Sequence, residues 1–477
     1  MKTSPNTSPK HPQTASATIS KSTLTTRKFV PLNRVPFDRY RVPPKQNLLM
    51  TPLFWLYAWV NTLGTHLRIT KRNMDGLKPP YIVLGTHHSW TDFYVTPLAL
   101  FPHRANYVSE LEGFEAFGEW LYRQFGCLGT RKFVNDLALV RNIRRVLDRR
   151  GILVIYPEAR YANVGTSSNL PDSVAKMLKS CSVPVVGIQM HGNYLQSPIW
   201  NTKKRREVRL EAELAQIITA EEIKTLSLEQ IKERVSTYLT YDEYRYQEET
   251  GMQIVDKFRA EGLHQVLYRC PHCNQDFTMR SSGATLFCES CGVKYKLSTN
   301  GKLCLITNGN SNSSDASFAA SGSPKAIFTH IPDWYEWERA QVHAEIDAGT
   351  YRLDTHVDVE ALPNAVNFIS HGVGHLVHDQ NGFSLEFTDF ADPEPSLPLS
   401  SSSRMKIDVT RTVNRTLRFS PASMFSVHTE YDYRGRGQCI TLSTLDNTYF
   451  LFPREEGFNA TKIQFATEYM YFLAKKT

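Results

Sequence analysis

The sequence predicts an α/β domain over residues 29–250, a mixed sheet flanked by helices, then a small zinc ribbon at 262–304 and a β-rich domain at 326–477. Three observations carry this. Short apolar runs such as Tyr81–Leu84 and Gly151–Tyr156 alternate with longer helix-like stretches up to residue 250. Two Cys-x-x-Cys pairs, Cys270/Cys273 and Cys288/Cys291, follow with 14 residues between them. Past residue 326 the pattern changes to short alternating segments bounded by turn residues. A chain of 477 residues has room for two to four domains, each with its own core.

The formal charge of +8 and a pI near 8.9 suit acidic lipid surfaces or phosphorylated substrates and fall short of a nucleic-acid binder. Eight cysteines with two close pairs suggest a reducing compartment and metal rather than disulfides. No apolar run follows the first lysine, so no signal peptide is expected.

Residues 1–28 are rich in Ser, Thr and Pro and read as a disordered basic tail. Asn47–Leu67 carries no Asp, Glu, Lys or Arg and is rich in aromatics. Polar interruptions make it a helix lying in a membrane interface rather than crossing it. Tyr81–Leu84 reads as a buried strand that ends in Gly85 and delivers Thr86-His87-His88-Ser89-Trp90-Thr91-Asp92. Ser89 is read as the N-cap of a helix over Trp90–Leu100. A histidine and Asp92 then stand close enough for the carboxylate to hold one ring nitrogen and leave the other as a base. Spacing alone does not choose between His87 and His88. A strand at Arg104–Glu110 and a helix at Gly113–Phe125 follow, with Phe114, Phe117, Trp120 and Leu121 on one side. Asp136–Arg150 reads as an arginine-rich helix. The strand Gly151–Tyr156 ends in Pro157-Glu158-Ala159-Arg160, and Pro184 within Ser182–Gly187 argues for a strand end or edge.

Thr86–Asp92, Phe125–Arg131, Pro157–Arg160 and Ser182–Gly187 resemble, in that order, the four sequence blocks of the glycerolipid acyltransferases, the family of lysophosphatidic acid acyltransferases. The resemblance covers roughly residues 47–240 and implies an α/β acyltransferase domain. The family pattern His-x-Ser-x-x-Asp selects His87 as general base, with Asp92 orienting it. It implies that Arg131 binds the acceptor's phosphate, that Glu158 lies near the glycerol hydroxyls, and that Arg160 also reaches phosphate. Arg131 is preferred to Lys132 because a guanidinium forks onto phosphate oxygens. Gly129 and Thr130 replace apolar residues of the second block, and Ala159 replaces a glycine of the third. The implied reaction moves a fatty acyl group from acyl-CoA or acyl-acyl-carrier-protein to the free hydroxyl of 1-acylglycerol-3-phosphate, in phospholipid biosynthesis. The enzyme would sit peripherally or monotopically on the cytoplasmic face of a membrane. Glycerol 3-phosphate or another lysophospholipid is the alternative acceptor, and a non-catalytic membrane-associated interaction protein is the alternative class. The enzyme reading expects His87, Asp92, Arg131, Glu158 and Arg160 to share one pocket.

After a strand at Arg206–Ile218, Thr219–Glu222 and Ser227–Gln230 have capping-box spacing and open two short helices. Four thiolates from Cys270, Cys273, Cys288 and Cys291 suit one tetrahedral structural zinc with no open position. Residues 305–325, centred on Thr307–Pro324, read as a linker. A helix at Ile331–Ile346 precedes alternating strands with turns at Asn381-Gly382 and Asp446-Asn447. His371, Gly372, Gly374 and His375 are read as a further turn. A terminal helix from Asn459 places Ile463, Ala466, Met470 and Leu473 on one face. Strands closed by such a helix resemble a pleckstrin-homology-type barrel, which offers a surface to a protein partner.

Overall fold

A computed structural model describes residues 34–306, 327–390 and 412–476. The tail at 1–28 and the linker stretch Thr307–Pro324 lie outside the described residues. Helix α1 spans only Thr51–Asn61 of the expected 47–67. The Asn47 side chain accepts the amides of Leu49 and Met50, Pro52 sits in the first turn, and Gly64 is left-handed at φ 79° beyond the end. The helix buries Thr51, Phe54 and Ala58, with Phe54 stacked on Phe125. Leu49, Leu53, Leu56, Trp59 and Leu63 remain exposed.

The chain continues through β1 (Arg68–Arg72), β2 (Tyr81–Gly85), α2 (Asp92–Leu100), β3 (Asn106–Glu110), α3 (Leu111–Phe117) and α4 (Glu119–Gln124). Next come β4 (Cys127–Thr130), α5 (Leu137–Asp148), β5 (Ile152–Ile155), α6 (Asp172–Cys181), β6 (Val185–His191), α7 (Asn193–Gln196) and β7 (Glu211–Ile218). The seven strands form one sheet in the order β1-β7-β6-β2-β5-β3-β4. It is mixed: β7 runs antiparallel to β6 and parallel to β1, and the remaining pairs are parallel. Strand alternation sends Tyr81 and Val83 into the core on one face and Ile82 and Leu84 into the core on the other, so β2 is buried throughout.

Local departures from the sequence reading have identifiable causes. The helix expected at Gly113–Phe125 breaks into α3 and α4 at Gly118, left-handed at φ 89°. Phe114 is therefore buried while Phe117 and Trp120 are exposed, not aligned on one side. Helix α2 begins at Asp92, two residues later than expected; the Ser89 hydroxyl accepts Thr91 N at 3.2 Å and donates to Asn193 O. The last strand of the domain starts at Glu211, five residues later than expected. Arg145 of α5 and Arg149, just past its end, are tied to the incoming chain: Arg145 donates to Tyr40 O, and Arg149 to Pro43 O and Pro44 O.

The domain closes with α8 (Glu222–Thr225), α9 (Leu228–Leu239) and α10 (Glu243–Glu249). Both capping boxes form, each with side chain and main chain exchanging bonds across three residues. A four-stranded antiparallel meander follows: β8 (Met279–Ser282), β9 (Thr285–Cys288), β10 (Lys294–Leu297) and β11 (Leu303–Leu305).

Helix α11 (Ile331–Asp347) leads into β12 (Leu353–Leu362), β13 (Ile369–Asp379), β14 (Gly382–Phe390) and β15 (Thr412–Phe419). Then come β16 (His428–Glu430), β17 (Cys439–Ser443), β18 (Thr448–Pro453) and α12 (Ala460–Lys476). The strands form a seven-stranded antiparallel sheet in the order β15-β14-β13-β12-β18-β17-β16. The segment His371–His375 is not a turn but the interior of β13. There the register slips between Val359 and Glu360, leaving a bulge beside Gly372 at φ 72°. Leu362, Phe450 and Phe452 share a core with Val83 and Phe114, while Phe465 and Ile463 share another with Tyr194 and Trp200. The C-terminal sheet and helix are thus cored together with the α/β domain.

Candidate functional site

The site lies where adjacent parallel strands end, the usual place for ligands in open α/β sheets. Strand β2 ends at Gly85 and its neighbour β5 at Ile155, with Leu84 paired to Ile155. Gly85 is required there: a Cβ would meet the Tyr156 ring at 2.7 Å. That ring, held by a 2.7 Å bond between its hydroxyl and Thr96 Oγ1, stacks on His87 with centroids 4.4 Å apart. Tyr161 covers the imidazole from a second direction at 4.5 Å.

His87 Nδ1 lies 3.0 Å from Asp92 Oδ2. The Asp92 carboxylate is 1% exposed, and its position is set by four groups. Oδ2 also accepts the main-chain amides of His88 (2.7 Å) and Ser89 (3.2 Å), and Oδ1 accepts Asn193 Nδ2 at 2.8 Å. Asn193 comes from the turn after β6, the strand on the other side of β2. Such a carboxylate orients the ring and leaves Nε2 as the free nitrogen, and the His87 side chain is 18% exposed. His88 is fully buried against Tyr241, and burial pushes its pKa down. Geometry therefore selects His87 as the histidine able to accept a proton.

Glu158 and Arg160 follow β5 directly. Glu158 is 3% exposed; Oε2 accepts Ser168 N at 2.9 Å, while Oε1 is buried with no hydrogen-bond partner among the described residues. Burial raises its pKa to about 7, opposed by Ser168, Arg160 and the His87 main chain. Ala159 holds a left-handed φ of 57°, which glycine would adopt without strain and alanine holds at a cost of roughly 1–2 kcal/mol. Arg160 Nη2 lies 2.8 Å from Glu468 Oε1 of α12.

Arg131 does not join this group, which corrects the expectation of one shared pocket. It is 8% exposed and turned into the C-terminal domain. Nη1 donates to Leu362 O and Thr448 Oγ1, both at 2.8 Å, and Nη2 to Pro363 O at 2.8 Å and Asp446 O at 3.0 Å. Lys132 is paired with Glu110 and lies 3.0 Å from His428 Nε2 of β16. His428 in turn lies within electrostatic reach of Lys132, Arg160 and His87 together.

A second candidate centre lies in the small meander. Asn274 and Gly292, left-handed at φ 58° and 73°, each return an amide to the first cysteine of their knuckle, Cys270 O and Cys288 O. The Sγ atoms of Cys270, Cys273, Cys288 and Cys291 all lie within 4.8 Å of one another. The Cys270–Cys291 and Cys273–Cys288 separations are 3.7 and 3.8 Å. Tetrahedral zinc with bonds of about 2.3 Å has S···S edges of about 3.8 Å, so the donor set fits that ion.

Of these groups, Asn193, Tyr156 and Glu468 escaped sequence reasoning. Asn193 alone had a local signal, following Gly192 a few residues past the fourth segment.

Residues 67–191 match a family model described as Acyltransferase. No curated protein matches the chain. The crystal structure of the 1-acyl-sn-glycerophosphate (LPA) acyltransferase PlsC from Thermotoga maritima is similar at 13% sequence identity, over 40% of this chain and 76% of that one, with a TM-score of 0.33.

Proposed function

From the Acyltransferase-family domain that the chain carries at residues 67–191, we propose an O-acyltransferase that moves a fatty acyl group from an acyl thioester to a hydroxyl of a lysoglycerolipid. The observation that carries the reading is His87, partly exposed and held through Nδ1 by a buried, fully bonded Asp92. The acceptor hydroxyl is a poor nucleophile at neutral pH. His87 Nε2 takes its proton as the oxygen attacks the thioester carbonyl, and Asp92 stabilises the imidazolium. Collapse of the tetrahedral intermediate expels the thiolate, which recovers the proton. No acyl-enzyme is needed, and the Ser89 hydroxyl, bonded to Asn193 O, is turned to structural use. Glu158 stands by the reacting end of the acceptor. The donor is acyl-CoA or acyl-acyl-carrier-protein.

The sequence expectation named 1-acylglycerol-3-phosphate and a role in phospholipid biosynthesis. Of the two arginines on which the phosphate part rested, Arg131 faces the C-terminal domain and Arg160 is paired with Glu468, so the acceptor class is kept on the family match and that member is not. The exposed apolar side of α1 supports peripheral docking on a membrane, for which the cytoplasmic face is our proposal, and no helix among the described residues is long and apolar enough to cross one. The four cysteines are proposed to hold a structural zinc in a ribbon, and the C-terminal sheet closed by α12 is proposed as a pleckstrin-homology-like module. Metal analysis should give one zinc per chain, with none retained by Cys270→Ser combined with Cys273→Ser.

The deciding assay offers labelled oleoyl-CoA and a panel of lysoglycerolipids on vesicles to wild type and His87→Ala. Wild type is expected to form diacyl product, and the variant to lose about 10²–10⁴-fold in rate. Equal rates from both proteins would reject His87 as the base.

A further inference from the structure

Resting on the acyl-transfer reading, we infer that the acceptor carries no phosphate monoester, because the C-terminal domain already pairs the described cations at the ends of the second and third sequence segments. Three basic side chains stand where the second and third sequence segments end: Arg131, Lys132 and Arg160. Each is bonded to that domain. Arg131 gives its four bonds to Leu362, Pro363, Asp446 and Thr448. Lys132 is shared between Glu110 and His428. Arg160 is paired with Glu468, whose carboxylate also accepts from Arg339 Nη1 (2.8 Å), Ser426 Oγ (2.7 Å) and Gln464 Nε2 (3.1 Å).

A phosphate monoester brings a charge of about −1.5 to −2 and three acceptor oxygens, and needs unpaired donors to offset its desolvation. Here it would have to expel Glu468 or Glu110 from a buried pair and leave that carboxylate uncompensated. Glu158, raised to about 7 chiefly by burial, adds negative charge beside the site as pH rises and makes a dianion less welcome. The C-terminal domain is not a detachable cover. Leu362 and Phe450 are cored with Val83 and Phe114, and Phe465 with Tyr194, so withdrawing it would open two hydrophobic cores. The acceptor that fits is a lysoglycerolipid of no net charge, either an uncharged monoacylglycerol or a zwitterionic lysophospholipid.

The test uses the full chain on phosphatidylcholine vesicles with labelled oleoyl-CoA. Three acceptors are offered at equal mole fraction: 1-oleoylglycerol, 1-oleoyl-lysophosphatidylcholine and 1-oleoylglycerol-3-phosphate. One of the first two is expected to exceed the third in kcat/KM by about tenfold or more, and which one does so separates the two sources. Equal use or preference for the third overturns the inference while the acyl-transfer reading stands. Product from none of the three, with oleoyl-CoA or with oleoyl-acyl-carrier-protein as donor, overturns that reading and the inference with it. Glu468→Gln, which frees Arg160 from its charge partner, is expected to raise the ratio of third acceptor to first severalfold. Both rates come from one preparation, so partial unfolding cancels. An unchanged ratio rejects the Arg160–Glu468 pair as the selector.

Discussion

His87 and His88 are adjacent in sequence, and burial separates them: one keeps a carboxylate partner and an open face, the other is packed neutral against Tyr241. The His-Asp spacing was legible because both residues lie in one turn. Asn193, which fixes the far oxygen of Asp92, was not, because a partner 101 residues away is joined only by the pairing of β2 with β6. Glu158 yields a pH prediction at this scale. Burial raises its carboxyl from 4.5 to about 7. A folded-state pKa above the unfolded one means that the folded chain holds the proton more tightly. The stability this supplies is complete below pH 4.5 and is lost as pH rises through about 7. Each tenfold difference in proton affinity is worth about 1.4 kcal/mol. Thermal unfolding followed from about pH 5 to about pH 8 should show wild type losing stability relative to Glu158→Gln, whose amide does not ionise. Parallel curves for the two proteins would place the carboxyl in a wetter setting.

At the scale of elements, α1 is apolar on sides that touch nothing. Thr51, Phe54 and Ala58 are its buried residues and Trp55 and Tyr57 meet Phe101 and Tyr94, while Leu53 and Trp59 project away at 57% and 53% exposure. Substituting both by glutamate should abolish co-sedimentation with anionic vesicles and leave the unfolding temperature within about 1 °C, since surface changes away from the core are usually worth less than about 0.5 kcal/mol. Retained sedimentation would move membrane contact to another surface. Elements with a local signature were readable: β2 follows from its apolar run, α9 from its capping box, and α11 opens with a proline in its first turn. Glycine was the weak point. Gly118 breaks a helix and Gly372 marks a bulge inside a strand, both at positive φ, yet in sequence each looks like any turn glycine. Which of these roles a glycine takes depends on the partner strand or helix, which the local sequence does not contain.

For the whole molecule the decisive fact is sheet order. Arg131 follows β4, three strand intervals from β2 in the order β2-β5-β3-β4, whereas Glu158 follows β5, one interval away. At about 4.8 Å per interval Arg131 starts about 14 Å from the histidine's strand, and the C-terminal domain lies within its reach. Four blocks in the right sequence order could not reveal this, because the competing acceptors come from residues 362–448, beyond the segment that resembles the family. If Arg131 is a clasp between domains, Arg131→Met removes four donors: Pro363 O keeps Phe37 N, while the Leu362 carbonyl and the Thr448 hydroxyl lose a buried donor. The expected loss is on the order of 3 kcal/mol, at about 1–3 kcal/mol for a stranded polar group, or a fall on the order of 5 °C in unfolding temperature. The KM for acceptor in the folded fraction should stay within about twofold. A phosphate-binding arginine would behave in the opposite way, raising KM steeply with little change in unfolding temperature. Thermal melts and acceptor titrations on the same variant therefore distinguish a residue that holds substrate from one that holds the two halves of the chain together.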